Sequence, residues 1–219
     1  IRGTNDGLDV LTDIVNIALL GSTTFQAQYA SLKAKVTEWL QDEDVLGRKL
    51  EDGTVVPGIF TVTGHSLGGF LATGIAADFA DNVTHTYLYN SPGLGGITSF
   101  ITSPVLNALG ITTVHDPAKI SNIKAEAGIS PIAGLGYQVA PPIYIEIEDQ
   151  TAADISNPPA ALNHSQQVLT DALAVQSLYS KLAPSLGQDQ LNALIDASGS
   201  PMGQTLESAL DALRVILLG

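Results

Sequence analysis

The 219-residue chain carries 9 basic and 22 acidic side chains, a formal net charge of −13, and is 45% apolar. That apolar share excludes a disordered chain, and a pI near 4.3 without any Lys/Arg cluster argues against nucleic-acid binding, because polyanions reward basic patches. The sequence contains no apolar run of about 18 residues to form a membrane span; with no cysteine it has no disulfide, thiol nucleophile or Cys-ligated zinc.

Charged residues are only 14% of the chain, below the roughly 25% usual for soluble domains. The length suits one domain with a full core and a small appendage: residues 1–182, then a helical extension over 183–219 packed on it. From Asp6 to Leu20, apolar residues recur at helical spacing (Leu8, Leu11, Val15, Ala18/Leu19). A second amphipathic helix follows, with Phe25, Tyr29, Leu32, Val36 and Trp39/Leu40 on one face. Asp52-Gly53 and Pro57-Gly58 read as turns. Strands are expected at Ile59–Thr63, Thr86–Tyr89, Ile120–Ala125 and Ile143–Ile147. Helices are expected at Gly69–Ala80, Val168–Leu182, Asp189–Ala197 and Gln204–Leu218. Strands alternating with helices imply a mainly parallel sheet covered by helices.

The sharpest motif is Gly64-His65-Ser66-Leu67-Gly68-Gly69. A Ser on a tight strand-to-helix turn needs small neighbours two residues away on both sides, and its hydroxyl then projects above the sheet. The apolar strand before it and the amphipathic helix after it supply that context. The plainer reading is a helix-starting turn with Ser66 as an ordinary cap. A nucleophilic Ser also needs a base and oxyanion donors. Of the four histidines, His65 lies inside the turn, while His85 and His115 precede strands, at the opposite edge of the sheet. His164 follows the fourth strand and precedes a helix, the order and edge expected of a general base in an α/β-hydrolase.

Arg2-Gly3-Thr4, Asp13 and the Gly64–Gly69 motif together resemble the class 3 (filamentous-fungal type) lipases and their bacterial relatives. The resemblance spans roughly residues 1–180 and implies an α/β-hydrolase fold. It implies that Thr4 donates to the oxyanion, supported by Asp13 nine residues later, and that Leu67 supplies the second backbone N–H. It also makes Arg2-Gly3-Thr4 the end of a central strand. A separate N-terminal segment completing the sheet is therefore expected. The family's acid slot best matches Ser130-Pro131-Ile132, where no carboxylate stands. Glu126, at the end of its strand, is the leading candidate acid; Asp154 is the alternative, and Asn90 ends the preceding strand with an amide.

No charged residue lies between Asp81 and Asp116 or between Glu126 and Glu146. The apolar residues there (Ile97, Phe100, Val105; Ile129, Leu135, Tyr137) suit an acyl chain and a lid, or else a buried core. Glu146, Glu148, Asp149 and Asp154 read as a solvated acidic loop, with Ca²⁺ binding the lesser alternative. No other cofactor or metal is expected. The sequence thus predicts a secreted ester hydrolase that takes lipid or other acyl esters, with transient contact to a lipid interface. The alternatives are a catalytically silent lipase-like module of a larger secreted protein and an acyltransferase.

Overall fold

A computed structural model describes residues 23–93, 116–126, 133, 136, 138–148, 164–199 and 206–218. The expected first helix, over Asp6–Leu20, lies outside these residues. The second is observed as α1, Thr23–Trp39. Its apolar stripe works as the spacing predicts: Tyr29, Val36 and the following Leu40 are buried, with Leu32 and Trp39 packed beside them. The polar stretch after it is more ordered than expected. It forms a small antiparallel hairpin, β1 (Gly47–Lys49) and β2 (Val55–Pro57), around the Asp52-Gly53 turn.

The expected strand–helix–strand sequence follows as β3 (Phe60–His65), α2 (Leu67–Asp78) and β4 (Val83–Tyr89). Strands β3 and β4 run parallel, with Val62 opposite Thr86 and His65 opposite Tyr89. Parallel neighbours need a crossover between them, and α2 is that crossover, packed on both strands. Its sequence is apolar nearly all round, so its buried residues include Leu71, Ala72, Ile75 and Ala77. A single turn of 3₁₀-helix (Pro117–Lys119) leads into β5 (Ile120–Ala125), and β6 is Pro142–Ile145. The sheet order β3-β4-β5-β6 gives a four-stranded parallel sheet flanked by helices, an α/β architecture.

The chain divides into two compact units, residues 1–122 with 132–142, and residues 123–131 with 143–219. The division therefore falls inside β5, and both sides of the expected boundary at 182/183 belong to the second unit. The first unit has its core between α1, α2 and the strands, with Val62, Leu71, Ile75, Val83, Leu88 and Ile120 buried together. Each fully buried aliphatic side chain of this kind stabilises the fold by about 1.5–3 kcal/mol. Helix α1 is pinned to α2 by a polar clasp: Tyr29 donates to Asp78 Oδ2 at 2.7 Å, and Lys33 pairs with the same oxygen at 2.8 Å. Burial and the neighbouring carboxylate together push the Tyr29 phenol well above its ordinary pKa. An apolar cavity of about 320 Å³ runs along β3 under α1, lined by Leu32, Val36, Trp39, Val62 and Ile75 among others. Ser66 is not part of its lining.

The second unit holds three helices, α3 (Gln166–Leu182), α4 (Gln188–Ser198) and α5 (Leu206–Leu218), packed on one another. The N–H of Gly187 is bonded by the Gln190 side chain at 3.0 Å, which closes the start of α4. Leu169, Ala172, Val175, Leu191, Ile195 and Leu206 are buried in this unit. Among the described residues no helix is long and apolar enough to cross a membrane.

Candidate active site

The end of β3 and the start of α2 meet at Ser66, in a conformation that does not fit an ordinary helix cap. A capping serine takes an extended backbone and bonds an N–H of the first helical turn with its side chain. Ser66 does neither: φ is 57° and ψ −133°, and no side-chain cap bond is made. It is fully buried, and among the described residues its Oγ has no hydrogen-bond partner. Backbone strain in such a region costs about 1–3 kcal/mol, and a buried unsatisfied hydroxyl costs about as much again. The surrounding backbone must hold it there. The Ser66 N–H donates to the Tyr89 carbonyl at 3.0 Å, and the Ser66 carbonyl accepts from Gly69 N–H at 2.9 Å.

The glycines explain how the turn closes. A Cβ on Gly64 would collide with the Gly68 carbonyl oxygen, so β3 and the first turn of α2 approach to a distance only glycine tolerates. A Cβ on Gly69 would stand 2.5 Å from Ser91 Oγ and 2.6 Å from Ser91 Cβ. The segment after β4 thus presses against α2 beside Ser66. Asn90 opens that segment at φ 45°, fully buried, the second non-glycine left-handed residue among those described. Asn tolerates this conformation better than most residues, which suits it to ending β4 on a sharp turn. Ser91 Oγ donates to the Pro92 carbonyl at 2.9 Å and fixes the turn's shape. Leu67 begins α2 and is buried; its N–H is among the first four donors of a helix, which have no intrahelical acceptor.

Ser66 and Leu67 belong to the first unit; His164 and Glu126 belong to the second. His164 is buried, two residues before α3. Glu126 is exposed at the end of β5, and its N–H donates to the Ile145 carbonyl at 2.9 Å. Among the described residues, its carboxylate accepts one hydrogen bond, from Asn192 Nδ2 at 3.2 Å. Thr4, Asp13 and Asp154 lie outside the described residues, as does His115. His85 is engaged within the sheet: its Nε2 is 2.9 Å from Ser121 Oγ, and its ring lies 4.6 Å from that of Tyr87. His65 is the half-buried last residue of β3.

The expected apolar walls around residues 97–109 and 129–137 lie almost wholly outside the described residues; Val139 and Ala140, just beyond the second, are part of the first unit's core. Of the acidic cluster, Glu148 Oε1 accepts the Leu206 N–H at 3.0 Å, placing a carboxylate at the N-terminus of α5. Asp149 falls outside the described residues, and among those described no group of three His, Asp or Glu side chains could hold a metal.

The chain matches no protein-family model, no curated protein and no solved structure. The site therefore rests on its own geometry. Sequence reasoning missed the amide side chains Gln176, Gln188 and Asn192, which gather near Glu126. One signal was present: Gln176 follows Leu169, Ala172 and Val175 on the apolar stripe of α3 and is buried there.

Proposed function

We propose that the chain is a serine ester hydrolase of lipase or carboxylesterase type, resembling the class 3 lipases and cleaving acyl esters through an acyl-enzyme at Ser66. The observation that carries this reading is the strained, buried Ser66, whose hydroxyl does not cap α2 and bonds no described residue. A protein retains such a cost where the side chain has chemistry to perform.

In this mechanism Ser66 Oγ attacks the ester carbonyl while His164 takes its proton. Glu126 orients and stabilises the imidazolium, with Asp154 as the alternative acid. The Leu67 N–H and Thr4, held by Asp13, receive the oxyanion; one such donor is worth about 3–4 kcal/mol of transition-state stabilisation. The alcohol leaves with the proton held by His164, and the same imidazole then activates water to release the acid. The uncharged stretches on either side of β5 favour an uncharged acyl substrate met at a lipid interface, outside the cell. No metal takes part; Ca²⁺ on the acidic loop would be structural.

The test is hydrolysis of p-nitrophenyl butyrate together with labelling by a fluorophosphonate. The wild type hydrolyses the ester and is labelled at Ser66, and Ser66→Ala lowers kcat by more than about 10⁴-fold. Unchanged turnover in Ser66→Ala overturns the mechanism. A wild-type chain that takes no label overturns it in favour of the silent binding module. Ester transfer to an added alcohol in preference to water would make it an acyltransferase.

A further inference from the structure

The polar side chains of the second unit converge on one residue, Asn192 of α4. Its Oδ1 accepts from the Glu146 backbone N–H at 3.2 Å, from Gln176 Nε2 at 2.9 Å and from Gln188 Nε2 at 3.0 Å. Its Nδ2 donates to Glu126 Oε2 at 3.2 Å. Gln188 Nε2 also donates to Gln176 Oε1 at 3.0 Å, which ties α3 and α4 to each other. The orientation of the Asn192 amide has no freedom. A backbone N–H can only donate and an ionised carboxylate can only accept, so the oxygen must face Glu146 and the nitrogen must face Glu126.

Glu126 is thereby held twice. Its main chain is bonded to β6 through the Ile145 carbonyl, and its carboxylate is bonded to α4 through Asn192. The other carboxylate oxygen, Oε1, receives no hydrogen bond from any described residue. A carboxylate that orients an imidazole needs this division of labour: one oxygen fixed by a neutral donor, the other left for the ring N–H. Exposed glutamates otherwise sample several rotamers, and a misplacement of about 1 Å at such a group costs up to about 100-fold in rate.

The geometry points to Asn192 as the positioning residue for Glu126, which makes the C-terminal helix pair part of the catalytic apparatus as well as packing. This rests on the reading of Ser66 as nucleophile and Glu126 as acid. It assigns to residues 183–219 a role in turnover that their Ala- and Leu-rich sequence does not announce.

The discriminating variant is Asn192→Asp in the full chain. It keeps an oxygen for the three donors of Glu146, Gln176 and Gln188, and loses only the donor to Glu126, which it replaces with a like charge. The circular dichroism spectrum and melting temperature stay close to wild type. On p-nitrophenyl butyrate, kcat falls about tenfold or more with KM unchanged. Asn192→Ala, made alongside, shows the same split. In a Glu126→Gln background Asn192→Asp costs nothing further, because there is no carboxylate left to place. Wild-type kcat in both Asn192 variants, with Ser66→Ala inactive, overturns the inference and leaves the hydrolase reading standing. Losses that multiply independently in the Asn192/Glu126 double variant also overturn it, since they mark a purely structural residue. Full activity in Ser66→Ala overturns the hydrolase reading itself, and the role of Asn192 with it.

Discussion

The turn around Ser66 and the amide cluster around Asn192 solve the same problem, holding one polar group in a fixed place, with opposite materials. The turn is made almost wholly of backbone: adjacent parallel strands, two left-handed residues, and glycines where main chain meets main chain. The cluster is made of side chains from the end of β5, α3 and α4, joined by one backbone N–H after β6. Backbone geometry of the first kind is stiff and intolerant of an added methyl group. A side-chain cluster of the second kind has redundant bonds, tolerates the loss of one, and depends on the charge state of its neighbours.

Gly64→Ala strikes hardest at the first half of this contrast. Its Cβ meets the Gly68 carbonyl oxygen, a backbone atom that cannot rotate away. The expected cost is about 3 kcal/mol or more of unfolding free energy, read from urea denaturation. A loss below about 1 kcal/mol would show that the turn yields, and the contrast would collapse.

Lys124 tests the second half, because it lies in the part of β5 that belongs to the second unit, nearly fully buried. Desolvation lowers its pKa to about 8. The folded state therefore releases this proton more readily than the unfolded chain does. The penalty of burying the ammonium is fully present below pH 8 and is relieved as the pH rises towards the ordinary value of 10.5. Relative to Lys124→Met, the wild type should therefore gain stability as the pH rises from about 8 towards 10.5. A pH-independent difference in melting temperature between the two proteins would contradict this.

The smallest effect sharpens the comparison from the other side. Ser66→Gly removes the strain at φ 57° and the buried hydroxyl together. It should gain about 1 kcal/mol in thermal unfolding while losing all turnover. A destabilised Ser66→Gly would mean that the serine side chain supports the turn, contrary to the unbonded Oγ.

The same contrast explains what the sequence reveals. The spacing predicts Ile120–Ala125, and β5 has those bounds; β3, α2, β4, β6 and the three C-terminal helices are found within about three residues of their expected limits. Local periodicity encodes such elements, and Gly-x-Ser-x-Gly encodes the turn, because every residue that shapes it lies within a few positions. The hairpin β1/β2 escapes detection because Gly47-Arg48-Lys49 and Val55-Val56-Pro57 are too short to show alternation, although Asp52-Gly53 marks the turn between them. The amide cluster is illegible for a different reason. Glu126 and Asn192 stand 66 positions apart, and nothing in either neighbourhood specifies the other. Such a pairing is a product of the tertiary fold, and only the buried Gln176 hints at it.

The complete burial of Ser66 bears on time as well as on energy. On the proposed reading of Ser66 as the nucleophile, the serine reacts only during the moments when the protein around it opens. At low concentration of an acylating reagent, the reaction rate follows the product of opening equilibrium and chemistry. At high concentration it reaches a ceiling equal to the opening rate, which is the same for every reagent and independent of its leaving group. Selectivity among esters would then be exercised in two stages, by which molecules outlast the wait and by which fit once inside.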